Sequence, residues 1–171
     1  MNITDTTPTE SNLSGLDRKD FQKNINSRKT DLYILKNAQG MEVAVTNYGC
    51  AILSIMVPDK NGKFANVILG HDSIEHVINS PEPFLSTTIG RYGNRIANGK
   101  FTLYGEEHQL TVNNGPNSLH GGPTGFHARV WDAVQPNEST VIFNYTSADG
   151  EEGFPGTLEV EMTYRLEDEA N

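Results

Sequence analysis

From Asp31 onward, apolar and polar positions alternate in short bursts separated by turn signals about every ten residues. Before it, residues 1–30 carry Thr, Ser, Asn and charges with little periodicity. They read as a polar, flexible N-terminal segment with Leu16 and Phe21 as docking points. Leu32 to Lys36 reads as a strand, ended by the turn Asn37-Ala38-Gln39-Gly40. Met41 to Asn47 follows, with β-branched Val43, Val45 and Thr46. Ile52 to Val57 is a third run, closed by Pro58-Asp59-Lys60-Asn61-Gly62, whose Asn-Gly pair suits a hairpin. Val67 to Leu69 continues the pattern.

Asp72 to Asn79 interrupts it. Ile74, Val77 and Ile78 recur at helical spacing, Asp72 is placed to cap that helix, and Pro81 and Pro83 stop it. Strands return at Arg129 to Gln135, and Pro136-Asn137-Glu138-Ser139 reads as a turn. In Thr140 to Thr146, Val141, Phe143 and Tyr145 share a face. In Thr157 to Leu166, Leu158, Val160, Met162 and Tyr164 lie on one face and Glu159, Glu161, Thr163 and Arg165 on the other. That is period two, hence half-buried strands. Residues 31–171 thus read as an all-β unit, a sandwich or barrel of antiparallel sheets. Its last residues, Leu166 to Asn171, look like a turn entering another strand.

Composition narrows the function. A net charge of −9, from 22 acidic and 13 basic side chains, argues against a nucleic-acid or anionic-membrane partner, both of which need basic patches. No run of about 18 apolar residues offers a membrane span. Cys50 is the one cysteine, so no internal disulfide forms, and its apolar surroundings predict a buried, inert thiol. The N-terminus lacks the basic and apolar regions of a signal peptide, which points to the cytoplasm, or to the periplasm had a signal been removed. Sequons at Asn2, Asn12, Asn137 and Asn144 carry meaning only in a secreted eukaryotic setting.

Two segments carry candidate chemistry: GRYGNRIANGKF at 90–101 and NNGPNSLHGG at 113–122. Both are rich in Gly and Asn, as turns are. Arg95 brings a planar fork of donors that keeps its charge. The bland alternative is an Arg paired with one of the many carboxylates. His120 can give or take a proton near neutral pH, and the two following glycines suggest open space beside it. Gly90, Gly93 and Gly99 mark either a tight corner or backbone kept slim beside a ligand. His71, His76 and His127 align with nothing, and no metal-ligand spacing occurs, so no metal site is expected. Asp149 to Gly156, DGEEGFPG, admits a calcium-type loop but reads more readily as a solvated turn with a Phe-Pro corner.

Taken in order, VTNYGCAILSIMVPDKNGKFANVILG, TIGRYGNRIANGKFTL, NNGPNSLHGGPTGFHARVW and DGEEGFPG resemble the aldose 1-epimerase (galactose mutarotase) family over residues 31–171. The resemblance implies a galactose mutarotase-like β-supersandwich that interconverts α and β anomers of free hexoses with no cofactor. It places substrate binding on Asn94, Arg95 and His120, and an active-site role on His120. It also implies that an acid His, a sugar-binding Asp and a base Glu lie downstream of DGEEGFPG, where this chain has ended. The domain is therefore expected to be truncated to its N-terminal part, and the 171-residue chain alone to be nearly inert. The competing readings are a non-catalytic carbohydrate-binding β-sandwich module and an epimerase-like domain attached to another enzyme.

Overall fold

The structure, a computed structural model, describes residues 12–168. The sequon at Asn2 and the last three residues lie outside that range. Residues 12–31 lead in through a short turn of 3-10 helix, Arg18–Phe21, and a small hairpin, β1 (Asn24–Ile25) with β2 (Arg28–Lys29). Phe21 is fully buried, and Leu16 packs beside it. The backbone N–H groups of Leu13 and Ser14 donate to the carboxylate of Glu42, which is only 1% exposed. A buried carboxylate needs such donors to offset its lost hydration.

The first sheet is an antiparallel meander of β3 (Leu32–Lys36), β4 (Glu42–Thr46), β5 (Ile52–Pro58) and β6 (Phe64–Asn66). Every residue of β4 is buried, because both faces of the sheet are covered. On one face Leu32, Ala44 and Leu53 meet Phe21 and the short helix α1 (Ile74–Ile78). On the other, Leu35, Val43 and Val45 meet Val141 and Phe143 of the second sheet and Trp131 just before it. That sheet is β11 (Asp132–Asn137), β12 (Thr140–Ser147) and β13 (Leu158–Arg165), also antiparallel. The fold is thus the all-β antiparallel sandwich expected from the alternation. Burial of Trp131 and Phe143 in the shared core contributes about 1.5–3 kcal/mol each by area. Asn47 ties the sheets at one corner: its amide accepts from Asp31 N–H and donates to the carbonyls of Lys29 and Trp131.

Several expectations shift. Ser73, not Asp72, caps α1, accepting from His76 N–H, while Asp72 instead contacts His76 Nδ1 at 2.5 Å. Val67 to Leu69 is not a strand, and Val67 and Leu69 are 60% and 76% exposed. β11 starts at Asp132 and runs through Pro136, and the turn is confined to Glu138-Ser139. Leu158 is exposed, so only Val160, Met162 and Tyr164 of β13 pack inward. Cys50 is fully buried, and burial pushes its thiol pKa well above the usual range. Among the described residues no helix is long and apolar enough to cross a membrane.

Candidate active site

Between the sheets' strands the chain makes β7 (Arg95–Ile96), β8 (Lys100–Leu103), β9 (Glu106–Gln109) and β10 (Ser118–Leu119). β7 and β10 pair antiparallel, with Arg95 opposite Leu119 and Ile96 opposite Ser118. That register brings Asn94 to His120. His120 N–H donates to Asn94 O at 3.0 Å, and Asn94 N–H donates to His120 Nδ1 at 2.9 Å. Both residues have positive φ, 66° and 54°. Asn tolerates this conformation, but for His it costs on the order of 1 kcal/mol or more.

The second hydrogen bond fixes the imidazole. A backbone N–H can only donate, so Nδ1 must accept and carries no proton. The neutral ring therefore holds its proton on Nε2, and His120 is a donor toward any ligand. Arg95 is exposed, with Nε donating to Asn114 Oδ1 at 2.9 Å and Nη1 to Asn94 Oδ1 at 3.2 Å. Among the described residues no carboxylate pairs with it. The fork is oriented by two neutral amides and keeps donors to spare.

Arg95, Asn94 and His120 line an open cleft of about 580 Å³ with Glu82, Phe84, Leu85 and Leu119. The volume is of the size that takes a small molecule. Phe84 lies between two imidazoles, its ring centroid 4.8 Å from His120 and 4.6 Å from His127. His127 is 5% exposed, its Nδ1 has no partner, and burial first, then the neighbouring His120, pulls its pKa down to about 4.

Sequence reasoning missed Phe84, Glu82 and the approach of His127. Pro81-Glu82-Pro83 reads as a helix stop, and nothing local marks the aromatic after it as a wall of the cleft. The glycines also serve a different end. A Cβ on Gly90 would meet the Phe126 ring at 2.1 Å, and one on Gly121 would meet Gly90 O at 1.8 Å. Gly121 and Gly122 are buried, so the space beside His120 is packed backbone rather than open room.

The Asp149–Gly156 loop is a turn exposed at Asp149, Gly150 and Gly156 with Phe154 buried at its corner, while Glu151 and Glu152 are half-buried. Its carboxylates diverge, each to its own donors: Asp149 accepts from Gly156 N–H, Glu151 from Tyr145 and Ser147 hydroxyls, and Glu152 from Thr124. Among the described residues no cluster of three or more His, Cys, Asp or Glu could hold a metal ion.

Known proteins share this arrangement of strands and loops. A galactose mutarotase from Bos taurus is 42% identical over 127 residues, covering 74% of this chain and 36% of that protein. An aldose 1-epimerase from Escherichia coli (strain K12) is 41% identical over 138 residues, covering 81% of this chain and 40% of that one. This chain thus spans about two fifths of the length of these curated relatives. Among solved structures, a Lactobacillus acidophilus galactose 1-epimerase superposes with a TM-score of 0.74 at 30% identity, over 86% of this chain and 43% of that one. An aldose epimerase homologue from C. elegans gives 0.76 at 31%, over 80% and 42%. The model of the family described as Aldose 1-epimerase matches residues 31–171, from the first strand of the sandwich through both glycine-rich loops, and the chain belongs to that family.

Proposed function

We propose that the protein carrying this chain interconverts the α and β anomers of free hexoses such as glucose and galactose, without a cofactor. The observation that carries this reading is the Asn94–His120 pair of reciprocal hydrogen bonds beside an Arg95 with unpaired donors, all in one open cleft. Such a site grips hydroxyl oxygens. The chain's net charge of −9 favours a free sugar over a phosphorylated one.

The chemistry divides accordingly. A base removes the proton from the C1 hydroxyl while an acid protonates the ring oxygen, and the C1–O5 bond breaks to give the open aldehyde. Rotation about C1–C2 and the reverse transfers close the ring on the other face. Each positioned acid or base is worth about 10²–10⁴-fold. Arg95, Asn94 and His120 act here as donors that orient the sugar and steady charge building on its oxygens. With its proton on Nε2 and its Nδ1 engaged, His120 does not serve as the base. A matched base, and the partner acid, come from elsewhere in the protein. The reading extends to a cytoplasmic setting, which fractionation of source cells tests.

The test has two stages. The reading frame containing this sequence is extended in both directions, with a further His, an Asp and a late Glu expected downstream. The full protein is then assayed by polarimetry on pure α-D-glucose and α-D-galactose. Fast, enzyme-dependent anomer exchange supports the proposal. A full protein that binds hexose without exchanging anomers is instead a carbohydrate-binding module. The 171-residue chain alone is expected to exchange anomers barely above background.

A further inference from the structure

Among the described residues no hydrogen bond or ion pair joins the Asp149–Gly156 loop directly to the cleft wall, yet the loop reaches both sides of the site. On one side, Glu152 accepts from the backbone N–H of Thr124 at 2.9 Å and from the Thr124 hydroxyl. Its other carboxylate oxygen lies against Gly122, where any Cβ would sit 2.7 Å away. Gly122 and Thr124 follow His120 by two and four residues. The backbone of Glu152 is anchored too: it holds a positive φ of 51°, and its carbonyl accepts from Thr111 N–H at 3.0 Å.

On the other side, Arg91 precedes Asn94 by three residues. Its guanidinium makes five hydrogen bonds, all to the loop and its approach: Nε to Ser147 Oγ, Nη2 to the carbonyls of Ser147 and Ala148, and Nη1 to those of Pro155 and Gly156. Ser147 Oγ in turn donates to Glu151 Oε1 at 2.9 Å, and the Tyr145 hydroxyl donates to Oε2 of the same carboxylate. Glu152 thus contacts the segment that carries His120, and Glu151 is linked to Arg91, in the segment that carries Asn94, through Ser147.

We propose that Glu152, with Arg91 as its counterpart, is a positioning residue for the Asn94–Arg95–His120 site. It holds the His120 segment against the Asn94 segment so that the Asn94 N–H meets His120 Nδ1. That contact keeps the imidazole proton on Nε2. Neither Glu152 nor Arg91 is among the residues that line the cleft, so the role assigned to them acts through Asn94 and His120. Displacing a donor by about 1 Å can cost about 100-fold in rate, which makes such a brace worth having behind a site built on loops. This inference rests on the epimerase reading for its kinetic readout, but not for its spectroscopic one.

The experiment uses the full protein and the variants Glu152→Ala, Glu152→Gln and Thr124→Val. The Gln variant keeps a carbonyl acceptor for both Thr124 donors. The Val variant removes only the hydroxyl and decides the matter should the Ala variant fail to fold. Polarimetry is expected to show kcat reduced at least about tenfold in Glu152→Ala with KM changed far less, most of the rate restored in Glu152→Gln, and a smaller loss in Thr124→Val. Long-range proton–nitrogen spectra of ¹⁵N-histidine protein are expected to show His120 with its proton on Nε2 in the wild type and a tautomer mixture in Glu152→Ala. A lowered melting temperature with unchanged kcat and an unchanged His120 spectrum overturns the proposal, since it leaves the loop a purely stabilising role. A wild-type protein that exchanges no anomers sinks the epimerase reading alone, and the His120 spectra still decide the positioning role.

Discussion

Asn94 and His120 hold each other through two hydrogen bonds of opposite sense, one backbone to backbone and one backbone to ring. Twenty-six residues of sequence separate them, and the two-residue strands β7 and β10 close that distance. The consequence is chemical: the ring presents Nε2–H and is committed to donating.

Removing that donor and removing the Arg95 fork should therefore read out differently. In the full protein, His120→Ala is expected to lower kcat for anomer exchange by about 100-fold or more, in line with the loss of a positioned hydrogen-bond donor to charge developing on the sugar oxygens. Arg95→Ala is expected to act mainly on substrate handling, raising KM with a smaller fall in kcat. Both side chains face the cleft rather than the core, so the melting temperature should hardly move. Polarimetric kinetics alongside thermal melts check all three statements, and wild-type rates in both variants would remove these residues from the mechanism.

His127 makes the fold sensitive to acid. It is buried neutral behind Phe84, with a folded pKa near 4 against about 6.5 when unfolded. The unfolded chain thus binds more protons between these values, so stability is full above about pH 6.5 and falls as pH drops toward 4. The loss is on the order of 1–3 kcal/mol, after discount for partial solvent access. Urea unfolding at pH 7 and pH 5 of wild type and His127→Gln measures it. The wild type should lose clearly more stability across that interval than the variant, and equal losses would show that His127 contributes nothing.

Gly121 and Gly93 offer a paired test of loop packing. Gly121 has φ of +87°, and its Cβ would lie 1.8 Å from the carbonyl oxygen of Gly90, a backbone atom that cannot swing aside. Gly121→Ala is expected to cost about 3 kcal/mol or more, from strain and collision together. At Gly93 the nearest atom is a methyl of Ile89 at 3.8 Å, so Gly93→Ala should change stability by less than about 0.5 kcal/mol. Denaturant midpoints decide whether the contrast exists.

The strands legible in the sequence are those long enough to show an apolar run or a period. β3, β5 and β12 carry apolar residues that enter the core as the alternation implies, and β13 does so apart from Leu158. β7 and β10 are two residues each, too short for any period, and β8 and β9 form a largely exposed hairpin with little apolar patterning to read. Val67 and Leu69 look like core residues and are exposed, because local hydrophobicity does not say whether a second layer covers the chain there. Arg95 and His120 were visible as residue types that suit sugar oxygens. Their mutual geometry, the role of Phe84, and the reach of Glu151 and Glu152 were not visible, since each depends on contacts between segments distant in sequence.

The 171-residue chain studied by itself should associate with itself. Among the described residues β13, eight residues long, pairs with β12 on one side only, leaving its other edge without a partner strand. β11 is the opposite edge of the same sheet, and Val134 on it is 59% exposed. Apolar side chains beside open strand edges are the usual template for edge-to-edge pairing. The charges on β13, Glu159, Glu161 and Arg165, include both signs, so copies running antiparallel need not repel one another. Size-exclusion chromatography with light scattering at rising concentration is expected to show dimers and larger species, and placing Lys at Val134 and Leu158 should shift the chain toward monomer. A monodisperse monomer with one sharp melting transition would mean that these edges are protected by something other than a partner strand.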